Sequence, residues 1–344
     1  MNIKKRVITI VAILSVLCTS ALGIGAIPSG KGEKSHIKYA EFNVTYEALK
    51  KAVDYDIQTY GDAVHLDCIE LLSYLASIYG GDFSNYKSSD MEKLALNLLS
   101  GETIASLTKD LQYYDYYHEV YTAVLAEFIG EYSEDYTDTD GTVKTKTMYG
   151  LKVFSPIAST FPYSDYDDFG ASRTYGYKRQ HLGHDMMAAT GTPVIAIESG
   201  TVECIGWNQY GGWRIGIRSF DKKRYYYYAH LRQNRPYHID LQVNQTVVAG
   251  DVIGYVGRTG YSTTENTNGI EVSHLHLGLE LVFDESQKES DNEIWINLYA
   301  ITRLLSSHQS KVVRVAETKE FYRAYNFTEK SVPDGSKQIL NGKL

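Results

Sequence analysis

The sequence predicts an α+β fold, an N-terminal all-α segment followed by a β-rich, antiparallel-sheet domain. Two observations carry this. Between residues 44 and 130, apolar side chains recur at helical spacing, as in Leu49, Val53 and Ile57, which is the period of one helix face. Between residues 151 and 285 the pattern changes to short apolar runs broken by turn signals such as Gly211-Gly212 and Gly250-Asp251. Closely spaced strands of this kind argue for antiparallel pairing rather than βαβ units. A length of 344 residues leaves room for more than one domain and for a sizeable core.

Taken in order, residues 1–30 have the pattern of an export segment. Lys4, Lys5 and Arg6 precede an uncharged stretch from Val7 to Ile27, and Pro28-Ser29-Gly30 opens a polar run. A basic start and an apolar run describe a secretory signal, and the run is also long enough to be a membrane anchor. Either places the remainder outside the cytoplasm, because positive charge stays inside. Residues 31–43 are expected to be a linker.

Residues 44–130 are expected to be a helical domain of unassigned role. Its helices are placed at Thr45–Tyr60, at Leu66–Tyr79 before the Gly80-Gly81 stop, after Ser89 with Glu92 in capping-box spacing, and at Tyr114–Ile129. His65 and His118 stand alone there. Residues 131–150 are acidic, then threonine-rich, and Asp140-Gly141 makes them a linker or a first hairpin. Within 151–285, Pro193–Ile197 and Thr201–Trp207 suggest a hairpin, and Arg224–Leu231 a strand carrying four tyrosines. Ile294, Leu298, Ile301, Leu304 and Leu305 predict a C-terminal helix within 286–310, and residues 311–344 a polar tail.

Composition narrows the function. The net charge of −8 argues against a nucleic-acid partner, which needs a basic face. Thirty tyrosines against 10 phenylalanines and 3 tryptophans favour wet contact surfaces such as peptide- or sugar-binding grooves. Three cysteines, Cys18, Cys68 and Cys204, contain no C-x-x-C pair, so cysteine-based zinc or redox chemistry is not expected. Whether Cys68 and Cys204 pair is left open.

The chemistry lies in H-L-G-H-D, from His181 to Asp185, and in H-L-H, from His274 to His276. Histidines and an aspartate in such clusters suit a catalytic zinc, which takes three protein ligands and keeps one position open. On a strand, His181, Gly183 and Asp185 share a face and His184 points the other way. His274 and His276 share a face by the same rule. His230, in Tyr228-Ala229-His230-Leu231, is placed with Tyr226 and Tyr228, which would then line the groove.

These motifs, with Gly191-Thr192-Pro193-Val194, Ala249-Gly250-Asp251 and Thr259-Gly260, follow one another between Tyr175 and Val282. Over that span the chain resembles the lysostaphin- and LytM-type zinc metallopeptidases, which cut peptidoglycan peptides. The resemblance implies a lysostaphin/LytM-like domain of the duplicated-hybrid-motif type at 151–285. It implies one Zn2+ held by His181, Asp185 and His276, with His230 and His274 as the catalytic pair. It also implies peptidoglycan stem or cross-bridge peptides as partners. The export segment adds a secreted or membrane-anchored place at the cell envelope, with anchoring through residues 7–27. The sequence departs from the family at Glu265–Ser273, an insertion expected to lengthen a loop on the groove rim. It departs again at Leu277-Gly278, where an aromatic residue and a glutamate are common. Two alternatives remain at this stage. One is a non-catalytic envelope assembly protein. The other is a zinc peptidase acting on an extracellular protein.

Overall fold

Helix caps and apolar spacing set the N-terminal elements. The computed structural model describes residues 36–176 and 178–333, and there five helices come first: α1 (Tyr46–Thr59), α2 (Cys68–Tyr79), α3 (Ser88–Leu99), α4 (Ile104–Thr108) and α5 (Tyr114–Leu125). Thr45 caps α1 by accepting from the Ala48 N–H, and Asp67 caps α2 by accepting from Ile69 and Glu70. Gly80 closes α2 in the left-handed conformation. The Ser89–Glu92 capping box does not form. The helix α3 starts two residues earlier than that box would set, at Ser88, with Lys87 at the cap and no side-chain cap bond. A reciprocal capping box appears instead at Thr103 and Ser106, on the short α4. The export segment at 1–30 lies outside the described residues, and among those described no helix is long and apolar enough to cross a membrane.

Residues 131–150 form a hairpin rather than a linker: β1 (Ile129–Thr137) and β2 (Val143–Leu151) pair across their full length around Asp140-Gly141. Then follow β3 (Tyr163–Asp165), β4 (Ser172–Arg173), β5 (Arg179–Gln180), β6 (His184–Ala188), β7 (Pro193–Ile195), β8 (Gly200–Asn208) and β9 (Gly212–Ser219). Next come β10 (Arg224–Ala229), β11 (Thr246–Val247), β12 (Val252–Tyr255), β13 (His274–Leu281) and β14 (Ile294–Trp295). The last elements among the described residues are α6 (Tyr299–Leu305), β15 (Val312–Arg314), β16 (Phe321–Arg323) and β17 (Phe327–Glu329).

The main sheet is antiparallel with strand order β11-β8-β9-β10-β13-β6-β3, and β14 adds to β13. The hairpin expected between Pro193–Ile197 and Thr201–Trp207 does not form: β7 pairs with β12 in a separate two-stranded sheet, and β8 pairs with β9 and β11. The alternating pattern marked the strands correctly but carries no information about a strand's partner.

The sheet has one dry face and one functional face. Ile215, Ile217, Tyr226, Tyr228, Leu277 and Leu279 are buried on the dry face within one apolar core. That core also contains Leu49, Leu72 and Val124 of the helices, so helices and sheet share it. Arg224, fully buried, donates to the Ala123 carbonyl at the end of α5 (2.6 Å) and to Glu198 (2.8 and 3.0 Å), while Tyr226 Oη donates to the same Glu198 (2.6 Å). The chain from His36 onward is therefore one compact unit, and the separate helical domain expected at 44–130 is part of it. The apolar faces of these helices are buried in the same core as the dry face of the sheet.

The C-terminal part also differs from expectation. The helix within 286–310 is reduced to the seven residues of α6, preceded by β14. Residues 311–333, expected as polar tail, hold three short strands, and β17 pairs with β1. Phe327 is the apolar anchor there, buried against Phe154 and Tyr132. Cys68 and Cys204 are free thiols.

Candidate active site

The site is built by strand pairing. The strands β6 and β13 run antiparallel with Asp185 directly opposite His276 and Met187 opposite His274. His181 lies three residues before β6 and folds back over it. Three ligand atoms meet as a result. His181 Nε2 is 3.0 Å from Asp185 Oδ1 and 2.9 Å from His276 Nδ1, and His276 Nδ1 is 2.9 Å from the same Asp185 oxygen. A tetrahedral zinc with nitrogen and oxygen ligands at 2.0–2.1 Å has ligand–ligand edges of about 3.3 Å, so this triangle is of the right size and donor type. A second acidic group, Asp56, Asp67 and Cys68, also clusters. Its carboxylates are taken up by the α2 N-terminus, His65 and Tyr149.

Gly183 supplies the clearance. A Cβ there would lie 2.6 Å from His276 Cε1 and 2.6 Å from the Leu277 carbonyl oxygen. His184 faces the other side of the sheet, where it bonds Asp165 (2.9 Å) and meets the Tyr299 ring.

Backbone carbonyls fix the tautomers of three histidines, because a carbonyl only accepts. His181 Nδ1–H donates to the Asp168 carbonyl (3.2 Å), His230 Nδ1–H to Thr259 (2.9 Å) and His274 Nδ1–H to Val272 (2.8 Å). His230 and His274 thereby each keep an Nε2 lone pair free, whereas His181 Nε2 is engaged by Asp185. The rings of His230 and His274 are 4.8 Å apart, and His230 is 5.7 Å from the His276 ring. His274 Nε2 lies 3.8 Å from Asp185 Oδ1. All five residues singled out in the sequence therefore come together at one place.

Two further residues had no sequence signal beyond the acidic run at Asp165–Asp168. Asp168 places its carboxylate 3.1 Å from His181 Nδ1, and Arg173 Nη2 bridges Asp168 (2.7 Å) and Asp185 Oδ2 (3.1 Å). Arg173 thus occupies one carboxylate oxygen of Asp185 and leaves Oδ1 to the histidines. The electrostatics follow. Burial by itself lowers the His181 pKa, but the bonds to Asp168 and Asp185 outweigh it and raise it to about 9. Burial works to raise the Asp185 pKa, but bonds to His181 and His276 hold its carboxyl well below the usual range. Burial, reinforced by the neighbouring His274 and His276, pushes His230 well below an ordinary imidazole, and burial lowers His276 as well.

The groove above these residues has a volume of about 340 Å³. Its wall is aromatic but not as expected. Tyr226 and Tyr228 face the core, while Tyr225 and Tyr227 line the groove. The parity argument failed at one residue: His230 has a φ of +58°, so the backbone leaves the strand there and swings the imidazole onto the functional face. Tyr261, which lies just before the Glu265–Ser273 insertion, stacks on Tyr175 (4.5 Å) and meets the His230 ring edge-on (5.8 Å). Within the insertion, Asn266 bonds Trp213 (2.9 Å) and Asn234 (2.7 Å), clamping the segment that follows His230.

This His/Asp constellation lies in an antiparallel-sheet domain, and residues 179–289 match peptidase family M23. This part of the chain is a peptidase M23 domain of the lysostaphin/LytM kind. Among its relatives, an L-Ala–D-Glu endopeptidase of Bacillus subtilis is 40% identical over 124 residues, which is 36% of each chain. Lysostaphin of Staphylococcus simulans is 40% identical over 98 residues, 28% of this chain and 17% of that protein. The matches thus span about a third or less of these relatives' own lengths. In fold, a Ruminococcus gnavus structure bearing the LytM name is similar over 79% of this chain and 92% of its own, with a TM-score of 0.51 and 23% identity.

Proposed function

We propose that the protein is an extracytoplasmic zinc metallo-endopeptidase that hydrolyses stem or cross-bridge peptides of bacterial peptidoglycan. The observation that carries this reading is the triangle of His181, Asp185 and His276 ligand atoms at an open groove, with the His230 imidazole lining that groove and the His274 imidazole beside it. These three residues would hold the zinc, which when bound supplies a Lewis acid and acidifies water.

The chain's own residues supply the remainder. Asp168 and Arg173 orient the ligands, a role whose removal typically weakens metal sites. His230 and His274 each present an Nε2 lone pair fixed by a backbone carbonyl, and so can accept and return a proton during peptide hydrolysis. The depressed pKa of His230 keeps it neutral at neutral pH. Tyr227 and Tyr261 offer flat, partly polar faces for a peptide running through the groove. The Val7–Ile27 segment supports the envelope location through its sequence pattern.

The test is to purify the chain, measure bound zinc, and follow release of new amino groups from isolated cell walls. Zinc at one equivalent with wall-peptide turnover is the expected result. Stoichiometric zinc with no turnover on walls or defined muropeptides would overturn the reading. Mass analysis of the muropeptide products identifies the bond.

A further inference from the structure

The functional face of the sheet continues past the catalytic residues. On β13, His276, Gly278 and Glu280 share that face, and the four-residue step from His276 to Glu280 spans about 13 Å. Glu280 is 1% exposed, yet it lines the groove, and its Oε1 is buried without a hydrogen-bond partner. No ion pair reaches its carboxyl among the described residues. An unpartnered buried carboxyl is costly, which singles the residue out.

Its surroundings are aromatic and charged: the carboxylates of Glu289 and Glu293 share this end of the groove with Arg214 and Lys288, and Lys288 and Arg218 act on Glu280 electrostatically. Glu280 pairs across the ladder with Tyr225 on one side and Trp295 on the other. Two glycines let these rings lie over the sheet. A Cβ at Gly216 would lie 2.0 Å from Tyr225 Oη, and one at Gly278 would lie 2.6 Å from Trp295 Cζ3. Gly278 is one of the departures from the family pattern, and the space it leaves is filled by Trp295. Glu293, held by Trp295 Nε1 (2.8 Å), and Glu289 line the same end. An ammonium already touches this box: Lys288 Nζ sits 4.6 Å from the centre of the Tyr225 ring, with its own charge paired to Glu203. Carboxylates and aromatic faces together suit a cation.

We propose that this end of the groove is a subsite for a primary ammonium group of the substrate peptide, with Glu280 and Glu293 as its counter-charges and Tyr225 and Trp295 as its walls. The assignment rests on the peptidase reading and names a substrate feature for it. The amine has two sources in wall peptides, the side chain of a diamino acid or the free N-terminus of a short peptide. Burial, with repulsion from Glu293, raises the Glu280 pKa to about 8, so an arriving ammonium meets a partly protonated carboxyl and displaces its proton.

The experiment uses the purified zinc-loaded chain and two pairs of defined muropeptides. In one pair the side-chain amine is free or acetylated, and in the other the N-terminal amine is free or acetylated. Acetylation is expected to lower kcat/KM about tenfold in one pair, chiefly through KM, and that pair identifies the source. Glu280→Gln is expected to abolish the discrimination, and Glu293→Gln to reduce it. Because each variant is compared with itself on two substrates, a loss of folded protein cancels. Equal kcat/KM for free and acetylated peptides in both pairs, or full discrimination retained in Glu280→Gln, overturns the subsite. If the wild-type chain cleaves none of the peptides, the peptidase reading fails. Calorimetric binding of the same peptides then decides the subsite alone: preference for the free amine, lost in Glu280→Gln, supports it, and equal binding overturns it.

Discussion

Asp185 and His276 face each other across adjacent antiparallel strands, with Asp185 Oδ1 2.9 Å from His276 Nδ1. Opposite residues on paired strands bring their side chains within direct reach, so a single register fixes this half of the proposed metal site. The strand β13 then carries His274 one step away on the same face, beside but outside the triangle.

That division predicts two outcomes from neighbouring substitutions. His276→Ala removes a ligand atom and is expected to lose zinc and turnover together. His274→Ala leaves the triangle intact and is expected to retain one equivalent of zinc while kcat falls by about 10²–10⁴-fold, the usual worth of a positioned acid or base. Metal content and amino-group release on the same samples check both. Undiminished turnover in His274→Ala would remove it from the catalytic pair.

Asp168 and Arg173 act on the ligands from behind. Asp168→Asn removes the carboxylate facing His181, and Arg173→Ala frees the second oxygen of Asp185. Each is expected to weaken zinc binding by about 10–100-fold, the usual effect of removing an outer-shell partner. Competition with a chromophoric chelator measures it, and circular dichroism shows whether the fold is retained.

Zinc affinity is expected to rise with pH. In the metal-free chain His181 has a raised pKa of about 9, so below that pH a proton must leave before the ring can bind. Asp185 is already ionised because its pKa is depressed, and it adds no dependence near neutrality. The affinity should climb by roughly tenfold per pH unit up to about 9 and then level off. A flat profile between pH 6 and 8 would contradict the Asp168–His181–Asp185 arrangement.

Glu280 predicts a stability effect of opposite sense to an ordinary carboxylate. Its folded pKa of about 8 lies above the unfolded value of 4.5, so between those pH values the native state holds a proton that the unfolded chain has released. Stability therefore falls as pH rises from 4.5 through 8. Glu280→Gln removes that dependence, and its melting temperature should gain on the wild type steadily from pH 5 to pH 8.

The Arg224–Glu198 pair joins the sheet to the end of α5. Arg224→Ala leaves Glu198 buried without its cation and orphans the Ala123 carbonyl. A loss of about 3–5 kcal/mol is expected, typical for breaking a buried pair by removing one partner. Urea unfolding measures it.

Much of the site was legible because its motifs are local. His181, Asp185, His230, His274 and His276 each stand in a short pattern, and strand parity correctly set His184 away from the site, while His181 and Gly183 lie outside β6 and reach the site through the turn before the strand. The same parity misplaced the tyrosines. It holds only while the backbone stays extended, and His230 leaves the strand at φ +58°. Tyr225 and Tyr227 therefore line the groove in place of Tyr226 and Tyr228. The partner of β7, the role of residues 311–333 and the merging of the helices with the sheet were likewise out of reach, since each depends on contacts between segments far apart in the chain.

By itself, then, the sequence determined the α+β order, the antiparallel strands and the identity of five chemically able residues, because periodicity and short motifs are properties of neighbouring residues. Tertiary structure decided which of those residues meet within 3 Å, that Asp168 and Arg173 stand behind them, and that the buried Glu280 carboxyl lies at one end of the groove. These depend on strand register and on the packing of side chains from β4, β6, β13 and β14, and local pattern does not encode either.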